Sequence, residues 1–203
     1  NAMMRGANRH EKEYIVKTIV TTETIKTIAE RNGVEMYDVY TGFKWIANVM
    51  RENEGKKNYI GGGEESYGFL CEDFVRDKDA VSACVILAEI AAWAKDQGLS
   101  LYQLLQKIYV EYGFSKEKGI SVVKKGKSGA EEIEAMMKKF RENPLTEIAG
   151  SKVTYFYDYS TLKGKDYAEN ETVTLDMPTT SNVLLYFTED NTKVSIRPSG
   201  TEP

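Results

Sequence analysis

The chain has 203 residues, enough for one large domain or two small ones, and its 41% apolar and 29% charged content is ordinary for a protein that buries a core. A formal net charge of −4 argues against a nucleic-acid-binding surface, which usually carries a basic surplus. One histidine and two cysteines cannot form a Cys/His zinc site or a dense disulfide framework, so a cytoplasmic location is expected. No apolar run reaches the length of a membrane span, and we expect neither a membrane nor a nucleic acid as partner.

The two ends of the chain indicate an added tag at the start and a longer parent protein. Residues 1–12 are interpreted as a tag scar and a polar leader, because Asn-Ala-Met precedes a second methionine. The last residues, 198–203, form a turn-like Pro-Ser-Gly-Thr-Glu-Pro directly after a strand pattern. We therefore expect the chain to be a piece of a longer protein.

Strand and helix patterns alternate at the start of the predicted first domain, residues 13–126. Strands are predicted at 15–20, 34–39 and 58–60, and helices at 24–31 and 43–51. Each helix carries its apolar residues on one face, and Asn32-Gly33 provides a helix stop. Strand-helix-strand spacing of this kind predicts right-handed crossovers and a parallel sheet.

Two further helices and a return strand complete the predicted first domain. The helix at 79–95 is apolar nearly all round, so we expect it to be buried between the sheet and a neighbour, with Asp77 as its N-cap. The next helix begins after Ser100, and an extended strand is predicted at 114–125. The fold class predicted for this part is a three-layer α/β/α domain with a mostly parallel mixed sheet.

The predicted second domain, residues 127–203, changes from helix to strands. A capping box at 128–131 predicts a helix that ends at Asn143-Pro144. Strands are predicted at 153–159, 172–175, 183–187 and 193–196, and the last two flank a hairpin turn. We expect a small, truncated α+β domain with antiparallel strands.

The glycine-rich segment 61–68 is the first candidate site. Glycines after a strand let the backbone approach a ligand or take positive φ. Glu64 can accept hydrogen bonds from two hydroxyls, and Ser66 can donate or accept one. Residues two apart on an extended segment share a face, so this pair could hold a diol. The alternative is a flexible turn with exposed acids.

Two more candidates lie at helix starts. Thr41-Gly42 follows the neighbouring strand and should open on the same sheet edge as the glycine-rich segment; the alternative is a simple helix cap. Lys78, in the Arg-Asp-Lys-Asp segment at 76–79, lies at a helix start that could hold an anion; the alternative is a solvated capping turn.

The fourth candidate is a phosphate site near the end of the chain. An arginine fork, two hydroxyls and a glycine that frees backbone N–H groups form a plausible anion nest. Its residues are Arg197, Ser199, Gly200 and Thr201. A strand-ending turn is the alternative interpretation.

These four motifs, in this order and spacing, resemble the α-D-phosphohexomutase family over nearly the whole chain. The Glu-Glu-Ser at 64–66 is most similar to the phosphoglucomutase and phosphopentomutase-like branch, because phosphomannomutases tend to carry Met and phosphoacetylglucosamine mutases Asp in the middle position. Members have four domains around a deep cleft. The resemblance implies that this chain is domain 3 and the first part of domain 4.

The resemblance also implies residue roles. Glu64 and Ser66 would hold sugar hydroxyls, Thr41-Gly42 would lie beside the sugar, and Lys78 would contact the ligand. The phosphate that is not transferred would be gripped by Arg197, Ser199, Gly200 and Thr201. A mutase binds its substrate in two flipped orientations. A pair of side chains that hydrogen-bonds to two adjacent hydroxyls, as Glu64 and Ser66 would, can accept both orientations.

The activity that the resemblance implies is interconversion of glucose 1-phosphate and glucose 6-phosphate. The family uses a phosphoserine, magnesium (Mg2+) and glucose 1,6-bisphosphate as activator and intermediate. The donor-serine and Asp-rich metal motifs are not in this sequence, so they are expected on missing N-terminal domains of the same chain, and this part alone should be inactive. Alternatives are a phosphomannomutase, a phosphopentomutase, or a non-catalytic module that binds hexose phosphate.

Overall fold

The computed structural model describes residues 12–199. The chain divides into two compact units, the first ending at Lys118 and the second beginning at Gly119. This division falls in an irregular segment between the last helix of the first unit and the first helix of the second. Each unit has its own sheet and its own core.

A four-stranded mixed sheet forms the centre of the first unit. Its strands are β1 (Glu13–Thr18), β2 (Glu35–Val39), β3 (Asn58–Gly63) and β4 (Phe69–Cys71), in the order β2-β1-β3-β4. β1 is parallel to both β2 and β3, which confirms the predicted parallel sheet. β4 pairs antiparallel with β3 and was not predicted, because three residues are too few to show an alternating pattern.

Helices α1 (Thr24–Arg31) and α2 (Phe43–Asn53) are the two crossover connections. Alternation along β1 turns Tyr14 and Val16 toward the apolar face of α2. Burial there raises the pKa of Tyr14 to about 12. The buried residues of this core are Tyr14, Val16, Val39, Phe43, Ile46, Val49, Met50, Tyr59 and Leu70.

The three glycines at 61–63 belong to β3, so the expectation that they follow the strand was wrong, and none of the three has positive φ. Gly62 lies opposite Val16 in the parallel ladder. A Cβ on Gly62 would lie 2.4 Å from the Val16 carbonyl oxygen and 2.6 Å from the Tyr59 hydroxyl. Glycine is required at position 62 because the backbones of β3 and β1 approach closely there, and not because the residue needs a positive φ.

Helix α3 (Ala80–Asp96) is capped two residues later than predicted. The Asp79 carboxylate accepts hydrogen bonds from the backbone N–H groups of Val81 and Ser82. Its hydrogen bonds with Ser82 and Val81 lower the pKa of Asp79. Asp77, the predicted cap, instead accepts from its neighbour Lys78. The prediction was wrong because either aspartate fits the sequence pattern, and only the backbone geometry decides between them.

Replacing Asp79 with alanine is therefore expected to lower the thermal midpoint of the first unit by about 4 °C, because the cap satisfies two helix N–H groups. Asp77→Ala is the matched control and should leave the midpoint unchanged. Thermal unfolding followed by tryptophan fluorescence measures both, since Trp45 and Trp93 are the two tryptophans of the chain and lie in the first unit. Equal losses from the two variants would contradict the assignment of the cap.

The prediction that α3 is buried on two sides was also wrong. Val81 is 74% exposed, and Ala94 is the buried residue of this helix. α3 packs against β4 and against α4 (Leu101–Tyr112), which leaves most of its apolar surface uncovered within residues 12–199. Ser100 is the N-cap of α4, as predicted, and it forms a capping box with Gln103.

The strand predicted at 114–125 does not form. This segment has no regular structure, and Phe114, Ile120 and Val122 are exposed. A strand needs a pairing edge. Neither β2 nor β4, the edges of the sheet among the described residues, pairs with it.

The second unit consists of one helix and six strands among the described residues. The elements are α5 (Gly126–Glu142), β5 (Glu147–Ile148), β6 (Ser151–Asp158), β7 (Lys163–Asp166), β8 (Glu171–Thr174), β9 (Leu184–Thr188) and β10 (Lys193–Ile196). The sheet is antiparallel with the order β10-β9-β6-β7-β8, and β5 pairs with β6. The predicted hairpin is confirmed as β9 paired with β10. β5 and β7 were not predicted, because they are short and polar.

Helix α5 begins at Gly126, so the capping box predicted from Ser128 lies inside its first turn and makes no cap. Its end is confirmed, with Asn143 as C-cap before Pro144. The helix packs on one face of the sheet, and the core consists of Met137, Val153, Phe156, Leu184 and Tyr186. Within residues 12–199, no helix has both the length and the apolar composition needed to cross a membrane.

Candidate functional site

The carboxyl ends of β1, β2 and β3 lie at one edge of the first unit's sheet, because the three strands run parallel. The segments that leave these ends are 19–23, 40–42 and 64–68. Open parallel sheets bind ligands at this edge. The glycine-rich segment and the Thr41-Gly42 segment flank the central strand on its two sides.

Glu64 joins two of these segments directly. The backbone N–H of Gly42 donates to Oε1 of Glu64 at 2.6 Å. The backbone N–H of Glu64 donates to the Gly68 carbonyl oxygen at 2.8 Å, which closes the turn between them. A Cβ on Gly68 would lie 2.6 Å from Oε2 of Glu64, so a glycine makes room for the carboxylate. The structure thus brings Glu64 and Gly42 together at the sheet edge.

Thr41 carries a buried hydroxyl that lacks a hydrogen-bond partner among residues 12–199. Buried polar atoms are normally satisfied, and a hydroxyl can both donate and accept. Thr41 precedes Gly42, whose N–H holds Glu64. Thr41 thus has an unsatisfied hydroxyl next to the backbone contact that holds Glu64.

Ser66 and Tyr67 lie on the exposed part of the turn, and Tyr67 has φ 67°. The prediction that Glu64 and Ser66 share a face assumed an extended segment. The structure has a turn at 65–66 instead, so their relation is set by the turn and not by strand alternation. Ser66 remains accessible to a ligand from solvent.

Lys78 lies close to the start of α2. Its ammonium group is 5.9 Å from the ring centroid of Phe43, the residue after Gly42. It also pairs with Asp77 at 3.0 Å, and this hydrogen bond lowers the pKa of Asp77. Arg76, by contrast, pairs with Glu54 beyond the far end of α2. The structure therefore places Lys78 near the Thr41-Gly42 segment and Arg76 away from it.

Sequence reasoning missed Lys17, which lies near the carboxyl end of β1. Its side chain is 1% exposed, and its ammonium group is 2.6 Å from Asp38 Oδ1 and 3.2 Å from Glu23 Oε1. A buried charge requires such partners. A lysine inside an otherwise apolar strand was the signal that could have revealed it.

In the second unit, Arg197 and Ser199 follow β10 and are exposed. Gly200 and Thr201, the other predicted phosphate contacts, lie outside the described residues. Within residues 12–199, no group of three or more His, Cys, Asp or Glu side chains is arranged to hold a metal ion.

The sequence matches a protein family over its first part. The model of the family "Phosphoglucomutase/phosphomannomutase, alpha/beta/alpha domain III" matches residues 1–112, more than half of the chain. The chain belongs to this family. The mixed sheet with its crossover helices, and the segments at its carboxyl edge, are therefore those of a phosphoglucomutase/phosphomannomutase domain III.

Two curated relatives are similar to this chain over its second unit as well as its first. A phosphoglucomutase of Staphylococcus haemolyticus is 35% identical over 201 residues, and one of Staphylococcus aureus is 38% identical over 203 residues. The match covers 99% and 100% of this chain but 36% of each relative. This chain thus spans about a third of the length of these two relatives.

A solved structure supports the fold of this family chain. The open form of parafusin, a phosphoglucomutase from Paramecium, aligns with a TM-score of 0.55 and 20% identity. The alignment covers 92% of this chain and 30% of parafusin. At this identity the comparison bears on the fold alone.

Proposed function

We propose that this chain supplies sugar and phosphate recognition in an enzyme that interconverts glucose 1-phosphate and glucose 6-phosphate. The observation that carries the proposal is the similarity to phosphoglucomutases along the whole chain, at 35% and 38% identity. The enzyme would be an isomerase of carbohydrate metabolism in the cytoplasm, with hexose phosphate as its substrate. Its transfer chemistry would lie on domains outside this chain.

In this proposal Glu64 is the central sugar ligand. Gly42 N–H occupies one lone pair of Oε1, and a carboxylate offers about four acceptor sites. The remaining sites accept hydrogen bonds from sugar hydroxyls. The Gly42 contact fixes the carboxylate before substrate arrives, so less conformational freedom is lost on binding. Thr41 and Gly42 would lie beside the sugar, next to this carboxylate.

Ser66 and Lys78 complete the sugar site from either side. Ser66 is exposed on the turn and can donate to or accept from a hydroxyl. Lys78 supplies a positive charge beside Phe43. A hydroxyl-reading site of this kind accepts the sugar in both orientations, as a mutase requires, because neighbouring hydroxyls present similar donors and acceptors.

The phosphate that is not transferred would be held by Arg197, Ser199, Gly200 and Thr201. A guanidinium group binds a phosphate with two parallel hydrogen bonds, and hydroxyl and backbone N–H donors complete its coordination. Arg197 and Ser199 are exposed and within two residues of each other, which supports this role.

The donor phosphoserine and Mg²⁺ are assigned to residues outside this chain, with glucose 1,6-bisphosphate as the intermediate. The described residues do not fit a metal site, since they contain no cluster able to hold the ion. This chain contributes binding and orientation of the sugar phosphate.

The test is a kinetic comparison in the full-length protein that carries this chain. We expect conversion of glucose 1-phosphate to glucose 6-phosphate by that protein and none by residues 1–203 alone. Glu64→Gln should lower kcat/KM by about 10- to 100-fold, because a charge-assisted acceptor is replaced by a neutral amide. The same assay with mannose 1-phosphate decides between glucose and mannose as the preferred sugar.

Glu30→Gln is the matched control, because Glu30 is an exposed α1 residue whose weak pair with Lys26 is 4.0 Å long. It should leave the kinetics unchanged. Turnover that is absent from the full-length protein would refute the proposed function. Turnover that is equal in Glu64→Gln and Glu30→Gln would refute the role of Glu64.

A further inference from the structure

The turn at 64–68 makes a second contact with the rest of the first unit, and this contact involves neither Glu64 nor Ser66. Oγ1 of Thr18 donates to Oε2 of Glu65 at 2.8 Å. Thr18 is the last residue of β1 and is 0% exposed. Its hydroxyl thus reaches from the buried end of the central strand to the acid between Glu64 and Ser66.

Because the Glu65 carboxylate can only accept, it also fixes the direction of a second hydrogen bond, between Thr18 and Thr21. Oγ1 of Thr21 lies 2.7 Å from Oγ1 of Thr18. A hydroxyl has one proton. Because Thr18 gives its proton to the carboxylate, Thr21 must donate to Thr18, and the chain runs from Thr21 through Thr18 to Glu65. The backbone N–H of Thr21 also donates to the Thr18 carbonyl oxygen at 2.9 Å, which holds the two residues together.

The turn at 64–68, which joins β3 to β4, is therefore also attached near the carboxyl ends of β1 and β2. Glu64 attaches it to the end of β2 through Gly42, and Glu65 attaches it to the end of β1 through Thr18. The part beyond these contacts is exposed, and Tyr67 is fully accessible to solvent. Contacts from two successive acids thus fix the turn against β1 and the start of α2, in addition to the hydrogen bond between Glu64 and Gly68 that closes it.

We propose that Thr18 is a positioning residue for sugar binding, acting through Glu65 on the turn that carries Glu64 and Ser66. The proposal rests on the proposed function, in which these two residues touch the sugar. Thr18 and Glu65 themselves need not contact the ligand. They reduce the conformational freedom of the turn before binding, so their effect falls on substrate affinity and not on the chemical step.

The variant that removes this contact is Thr18→Val, which keeps the shape of the side chain and loses the hydroxyl. Amide hydrogen exchange of residues 64–68 in the 203-residue chain should become about fivefold faster, the change expected for one hydrogen bond. Thr18→Ser restores the hydroxyl and should restore the wild-type rate. Exchange that is unchanged in Thr18→Val, or equally fast in Thr18→Ser, would overturn the proposal.

Two further variants separate this contact from general destabilisation. Thr154→Val removes a threonine hydrogen bond to the Phe187 carbonyl oxygen in the second unit and should not change exchange at 64–68. Glu65→Leu removes the same contact from its exposed end, so it provides the test even if Thr18→Val does not fold. Combining Thr18→Val with Glu65→Leu should add nothing to either single change. Additive effects would overturn the proposal.

Kinetics of the full-length protein test the consequence for binding. Thr18→Val should raise KM for glucose 1-phosphate about fivefold and leave kcat unchanged, because uniform binding is lost. A fall in kcat at constant KM would overturn the positioning role. Absence of turnover in the wild-type protein refutes the proposed function only, and the exchange rates then decide whether Thr18 positions the turn.

Discussion

Gly62→Ala is expected to lower the free energy of unfolding of the first unit by about 3 kcal/mol. The new Cβ would lie 2.4 Å from the Val16 carbonyl oxygen, which is backbone of the central strand and cannot move without disturbing its ladders. The new Cβ would also lie 2.6 Å from the Tyr59 hydroxyl, which is a second close contact. Urea unfolding followed by tryptophan fluorescence measures the loss, because both tryptophans report on this unit.

Gly119→Ala is the matched control for this substitution. A Cβ on Gly119 would meet no atom within 4 Å, and its φ lies outside the left-handed region. The free energy of unfolding should change by less than about 0.5 kcal/mol. If both glycines tolerate alanine equally, the close approach of β3 to β1 is not as the structure describes it.

Leu184→Ala should destabilise the second unit by about 3 kcal/mol, because it leaves a cavity in a fully packed site. Leu184 is 0% exposed at the start of β9 and packs with Phe156 and Met137 in the core beneath α5. Amide exchange of β6 and β9 under native conditions measures the change, since this unit contains no tryptophan.

Leu145→Ala supplies the comparison within the same unit. Leu145 is 37% exposed, so the side chain removes less surface from water, and its loss should cost about 1 kcal/mol or less. Equal effects at both positions would show that Leu184 is not at the centre of this core.

The parallel sheet was predictable because apolar strands and one-sided helices alternate at crossover spacing. The helix predicted at 24–31 has the bounds of α1, since Asn32-Gly33 ends it with local chemistry. The cap of α3 was not predictable, because Asp77 and Asp79 have the same capping chemistry and differ only in backbone geometry. The exposure of α3 was not predictable from its composition, because an apolar sequence suggests burial but does not show whether another element covers the helix.

The prediction that the two segments open on one sheet edge followed from the parallel direction of the strands that they leave, and the Gly42 to Glu64 hydrogen bond fits it. The contact of Thr18 with Glu65 joins residues 47 positions apart. No local pattern marks such a pair, because threonine at a strand end and glutamate in a turn are both common. Lys17 was closer to prediction, since a charge inside a buried strand requires a partner even before that partner is known.

The central position of β1 has a consequence for biosynthesis. Both of its ladders are made with strands that come later in the chain, β2 and then β3, so one edge of β1 stays unpaired until residue 63 has been translated. Parallel strands cannot pair through a local hairpin, so the apolar side chains of β1 stay unpacked until strands later in the sequence are available. Until β3 emerges, the nascent first unit exposes this strand edge, and unpaired strand edges are a general cause of aggregation during folding.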